Sequence, residues 1–127
     1  LMTSDTGFIY RWSGTAWGVV SGDTGDVALS LAAGWSNASG TATVRVRNGY
    51  ASLNGRLDAA AAVGGTTIAI LPVGARPPVE RITVAFDGGL TPRVVIIQTG
   101  GTLLEFGRGA AARSDFRLAS IAPWAVT

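Results

Sequence analysis

Eight carboxylates and ten arginines are the only side chains here that carry charge at neutral pH, because lysine, histidine and cysteine are all absent. That limits the chemistry. Without histidine there is no common general base and no usual activator of a serine nucleophile. Without cysteine there is no thiol nucleophile, thiolate metal site or disulfide. Without lysine, Schiff-base chemistry and the phosphate-loop lysine are also excluded. Glycoside hydrolysis remains, but it needs two carboxyl groups about 5 to 9 Å apart. The eight acids are instead scattered over different segments. Asp5, Asp23 and Asp26 offer oxygen ligands for Ca²⁺, yet their spacing matches no EF-hand-like loop. The sequence therefore predicts a non-enzyme with no catalytic residue, no metal and no cofactor.

Binding chemistry is better represented. Aromatic rings stack on sugar faces while amides bond the hydroxyls, so Trp35 with Asn37 forms a candidate glycan contact. The bland alternative is a tryptophan plugging the end of a β-fold. Tyr50 directly follows Asn48-Gly49, which places Asn48 and Tyr50 at a hairpin tip, where contacts to a partner concentrate. Arg45, Arg47 and Arg56 could form a stripe on one sheet face and meet phosphate in an anionic wall polymer. The alternative is a solvated face paired with carboxylates. Phe8, Tyr10, Trp12 and Trp17 read as the packing of a small hairpin, and Trp124 as core.

These residues must be carried by short strands. Eighteen glycines and scattered turn formers break the apolar runs at intervals of about ten residues, which argues for a sandwich or barrel. Residues 8–12 and 16–20 read as an aromatic hairpin, and 21–26 as a joint, dividing the chain into 1–22 and 23–127. Residues 27–31 form a candidate strand. Residues 43–47 and 50–57 alternate around Asn48-Gly49, the signature of a type I′ hairpin in which both turn positions need positive φ. Val44 and Val46 would face one side, Arg45 and Arg47 the other. Residues 66–71 form a strand stopped by Pro72, and 72–78 an extended loop. Residues 81–86, then the hairpin 93–98 and 103–106, follow. Residues 94–97 (VVII) are apolar without alternation, which predicts a strand buried on both faces. Residues 115–118 and 121–126 close the domain. The alanine-rich stretch 58–63 is too short to hold as an isolated helix.

Hydrophobic residues make up 47% of the chain and charged ones 14%, an apolar balance for a domain of 127 residues. Some apolar surface is therefore expected to lie between subunits. No run approaches the roughly 18 apolar residues of a membrane span, so membrane insertion is not expected. The pI of 9.9 reflects arginine at a net charge of only +2, and the charges alternate in sign along the chain. Nucleic acid, which favours clustered positive charge, is not an expected partner. No basic-then-apolar segment opens the chain, and Leu1-Met2 reads as the cut end of a longer protein.

Two segments resemble known modules. Residues 7–17 (GFIYRWSGTAW) resemble the aromatic hairpin of phage tail-fibre and minor-tail proteins. Residues 44–78, with LNGRL at 53–57 and LPVGARP at 71–77, are similar to C-terminal domains of phage tail proteins, especially those of actinobacterial hosts. The closing apolar segment 121–126 fits the same pattern, and the resemblance covers roughly half the chain. It implies a β-sandwich or jelly-roll-like head behind a small N-terminal aromatic hairpin. It also implies a homotrimer at the phage tail tip, contacting other tail proteins and binding a host cell-surface glycan or wall polymer. The alternative it leaves open is a trimerisation or capping module that touches no receptor.

Overall fold

The computed structural model describes residues 2–3, 9–12, 17–60, 67–108 and 111–126. Three strands near the N-terminus, β1 (Met2–Thr3), β2 (Ile9–Trp12) and β3 (Trp17–Ser21), form a small antiparallel sheet. Within it Trp12 pairs with Trp17 and Tyr10 with Val19, as the aromatic hairpin predicts. Phe8 and Asp5 lie outside the described residues.

All remaining strands belong to one second sheet. They are β4 (Val27–Ala28), β5 (Ser30–Leu31), β6 (Trp35–Arg47), β7 (Tyr50–Ala59), β8 (Thr67–Ile70), β9 (Arg81–Phe86), β10 (Pro92–Ile97), β11 (Thr102–Glu105), β12 (Arg113–Arg117) and β13 (Trp124–Ala125). Their order is β4-β6-β7-β12-β9-β10-β11-β8-β5, with β13 also on β7. Because β4 and β5 are consecutive in the chain yet stand at opposite ends of that order, the sheet curls round nearly into a barrel-like sandwich. Leu29 sits between them, buried, its N–H donating to Ala42 O. One short segment thus clamps both sheet edges. The all-β architecture matches the sequence reading.

The core follows from period-two alternation. Val44, Leu53, Leu57, Ile68, Val95, Ile97, Leu103 and Phe116 all point inward and are almost fully buried. The two-residue turn between Arg47 and Tyr50 holds Asn48 at φ 51° and Gly49 at φ 82°, as a type I′ turn requires. Gly55, at φ 114°, lies so close to β6 that a Cβ there would come within 2.7 Å of Ala42 Cα.

Several elements depart from the sequence reading. β6 starts at Trp35, eight residues before the alternating stretch, and its first half is bulged, with the Asn37 side chain accepting the Ala42 N–H at 2.8 Å. The loop after Pro72 contains a 3₁₀ turn at Val73–Ala75, and a second 3₁₀ turn, Leu118–Ser120, interrupts the closing segment. The alanine-rich stretch begins as the end of β7, and residues 61–66 lie outside the described residues. β10 is buried on one face only: Val95 and Ile97 point inward, whereas Val94 is exposed and Ile96 half-buried. No helix among the described residues is long and apolar enough to cross a membrane.

Candidate functional site

Trp35 opens β6 at one end of the barrel, and Asn48 follows its other end, so the four candidate glycan residues do not converge. Trp35 is buried at 6% exposure, with Phe116 edge-on at 5.3 Å and the Arg108 guanidinium 5.0 Å above its ring. Arg108 lies over one ring face, and burial denies a sugar access to the ring. Its indole N–H is buried with no hydrogen-bond partner among the described residues. Asn37 uses its carboxamide oxygen to close the bulge in β6.

At the opposite end, two flanking segments strap the hairpin tip. The Asn48 N–H donates to Gly22 O, and the Val126 N–H to Gly49 O. The Asp23 carboxylate accepts from the Gly25 N–H and from Nε and Nη2 of Arg45. The Arg45 hydrogen bonds hold that carboxyl far below the usual carboxylate range, and Asp23 raises the Arg45 pKa in return. Above this frame Tyr50 stands 59% exposed. Of the candidate set, Asn37, Asn48 and Tyr50 are exposed and only Trp35 is buried. Arg45, Arg47 and Arg56 share the outer face, but Arg45 is paired with Asp23 and Arg56 lies 3.4 Å from Asp115.

Asp87, Asp115 and Glu105 are similarly occupied. Asp87 accepts the Gly89 and Thr91 N–H groups on one oxygen and Arg93 on the other. The Thr91 N–H, then Arg93, hold its carboxyl below the ordinary value. Asp115, at φ 54°, pairs with Arg117 at 3.1 Å, and its N–H donates to Asp58. Inside the barrel Glu105 receives Arg113 in a fork-shaped pair that raises the Arg113 pKa. Beside it, Arg108 donates to Ala60 O. Glu105 and Arg113 were not legible as buried side chains, because a lone charged residue in a strand reads as outward-facing, and Arg108 lies in the loop after β11, where no alternation marks burial. Among the described residues no group of three potential metal ligands occurs.

The outer face of β9 and β10 is apolar. Ile82, Val84 and Phe86 point outward from β9, and each lies opposite an outward residue of β10: Ile96, Val94 and Pro92. Leu104 continues the Ile96 row on β11, and Phe106, whose N–H donates to Val94 O, continues the Val94 row. Ile82 is 72% and Phe106 68% exposed. A shallow open groove of about 170 Å³ runs beside β9, between Ile82 and the Pro123-Trp124 segment. Comparison with protein-family models, curated proteins and solved structures gives no match to this chain.

Proposed function

We propose that this chain is a non-catalytic adhesion module: the receptor-binding head of a phage tail fibre or minor tail protein. It would be displayed at the tip of the virion as a homotrimer, joined to other tail proteins and binding a host cell-surface glycan or wall polymer. The observation that carries this reading is a division of labour between side chains. Asp23, Asp87, Glu105 and Asp115 are held in ion pairs with arginine, whereas large apolar side chains stand uncovered on one sheet face. A carboxylate locked to a guanidinium is a poor general acid or base at neutral pH. An uncovered apolar face suits a protein that is completed by contacts with other molecules. Three copies at fixed spacing would add avidity to weak single-site contacts.

The alternative, a trimerisation or capping module without receptor contact, is favoured by the occupation of Trp35 and Asn37 in the fold itself. Fluorescently labelled domain incubated with a panel of actinobacterial cells and purified wall glycans separates the two readings. Saturable binding that Tyr50→Ala removes supports adhesion. Absence of binding to every cell and glycan tested, by a folded domain, sinks it in favour of the capping module.

A further inference from the structure

We infer that residues 22–31 form a latch: one segment that shuts the barrel seam, braces the Asn48-Gly49 tip, and opens as a unit while the rest of the barrel stays folded. The latch stands on main-chain geometry, and only what the tip binds rests on the adhesion reading above. Its course can be followed bond by bond. The Asn48 N–H donates to Gly22 O at 2.8 Å, and the Thr24 N–H to Val46 O at 2.9 Å. The Thr24 hydroxyl accepts the Val46 N–H, and the Asp23 carboxylate holds Arg45. β4 then pairs Val27 with Val44 and Ala28 with Thr43 on β6, and the Leu29 N–H donates to Ala42 O. From there the chain crosses to the other edge, where β5 pairs Ser30 with Ile70 and Leu31 with Ala69 on β8.

No other strand among the described residues pairs across that seam. β6 pairs with β4 and β7, and β8 with β11 and β5, so β6 and β8 do not pair with each other. Both would present free main-chain groups if the segment left. Yet little holds it in place. β4 and β5 are two residues each, and Leu29 is the one buried residue between positions 22 and 31. Asp26, Val27, Ala28 and Ser30 are exposed, and Leu31 is half-buried. Segments with few buried apolar contacts sit at the low end of local stability and open ahead of the core. The β6–β7 pair is the contrast: it runs from Trp35 to Tyr50 and buries Val44, Leu53 and Leu57.

The same segment joins three parts of the molecule. β3 ends at Ser21, so the N-terminal sheet is connected to the barrel through Gly22. When Gly22 and Asp23 leave, Asn48 loses its acceptor and Arg45 its carboxylate, and the frame beneath Tyr50 goes with them. A displacement of the N-terminal sheet that draws Gly22 away from Asn48 therefore loosens the tip and the seam together. Two states of one segment tie the attachment of the barrel to the shape of the tip that carries Tyr50.

Amide hydrogen exchange on the full chain, followed residue by residue by NMR, tests this. The Thr24, Leu29 and Ala32 N–H groups donate to Val46, Ala42 and Ile68, and those of Val46 and Asn48 donate into the segment. All five should share one protection factor, at least about 10-fold below that of the amides pairing β9 with β10. A disulfide then locks the segment. Ala28 and Thr43 are directly opposite, one step from the hydrogen-bonded Leu29–Ala42 pair, which makes them a non-hydrogen-bonded pair with Cα atoms about 4.5 Å apart, within disulfide reach. The chain has no cysteine of its own. In oxidised Ala28→Cys/Thr43→Cys protein the five amides should slow to the β9–β10 value, and reduction should release them. Five amides that already exchange at the β9–β10 value in the unaltered chain overturn the latch. Fast exchange at Thr24, Leu29 and Ala32 with slow exchange at Val46 and Asn48 overturns its coupling to the tip. Fast exchange that persists in the oxidised protein overturns opening as one unit. No ligand enters these measurements, so a failure of cell binding strikes the adhesion reading and leaves the latch to be decided by exchange.

Discussion

Arg113 grips Glu105 from inside the barrel: Nε donates to one carboxylate oxygen at 2.8 Å and Nη2 to the other at 2.6 Å. The two side chains are 8% and 1% exposed. Glu105 lies two residues from Leu103 on the core face of β11, a position that alternation assigns to an aliphatic residue. A buried charge is tolerable only while its partner is present. Removing one member of such a pair typically costs about 3–5 kcal/mol, whereas replacing both by apolar residues is often near neutral. Glu105→Ala and Arg113→Ala are each expected to lower unfolding stability by that amount in urea titrations. Glu105→Leu/Arg113→Met should lose less than either single variant. Losses that simply add in the double variant would show that the two charges are uncoupled.

Acid should weaken the turn after β9. The Asp87 carboxyl is depressed chiefly by the Thr91 N–H and then by Arg93. The unfolded chain therefore takes up the proton before the folded one does. The contribution of Asp87 is present in full above the ordinary carboxylate value of about 4 and is lost as pH falls below it. Asp87→Asn is expected to lower the thermal midpoint at pH 7, and the gap to the unaltered protein should narrow as the pH falls below about 4. A gap that stays constant across the titration would remove ionisation as the cause.

The β6–β7 hairpin separates what sequence can reveal from what it cannot. Asn48-Gly49 between alternating runs has a local cause, so the turn and its flanking register were legible. The first half of β6 was not. Its Ser, Asn and Gly residues have low strand propensity, and it is held as strand by pairing with the far half of β7 through two register shifts. Glu105 and Arg113 each read as surface charges because their burial depends on the other, across two strands. Of the candidate contacts, Tyr50 was placed at an accessible tip by the turn alone. Trp35 depends on Phe116 and Arg108, which are distant in sequence and meet it only in the closed sheet.

Gly55 and Gly49 offer a matched comparison, since both have positive φ. Alanine at position 49 meets nothing within 4 Å, so it faces only the backbone penalty, about 1–2 kcal/mol. Alanine at position 55 also drives its Cβ against Ala42 Cα, main chain that cannot swing aside. Gly55→Ala is expected to cost more than Gly49→Ala, by about 1–3 kcal/mol, as the hairpin separates locally. Equal denaturation midpoints for the two variants would mean that β6 and β7 part at that point at no cost.

Trp35 and Tyr50 should respond oppositely to truncation, because one is held inside the fold and the other stands outside it. Trp35→Ala removes a buried ring that packs on Arg108 and Phe116 and is expected to cost about 3–5 kcal/mol. Tyr50→Ala removes a ring that is 59% exposed, and its stability should stay within about 0.5 kcal/mol of the unaltered chain. Denaturation curves check both values. Cell adsorption then reads function separately from folding. A folded Tyr50→Ala domain that no longer adsorbs places the receptor contact at the Asn48-Gly49 tip. Full adsorption by that variant, with loss only when Trp35→Ala unfolds the barrel, would move the contact away from both candidate sites. The search would then turn to loops at the Trp35 end, where residues 88–91 form an exposed turn beside the apolar face.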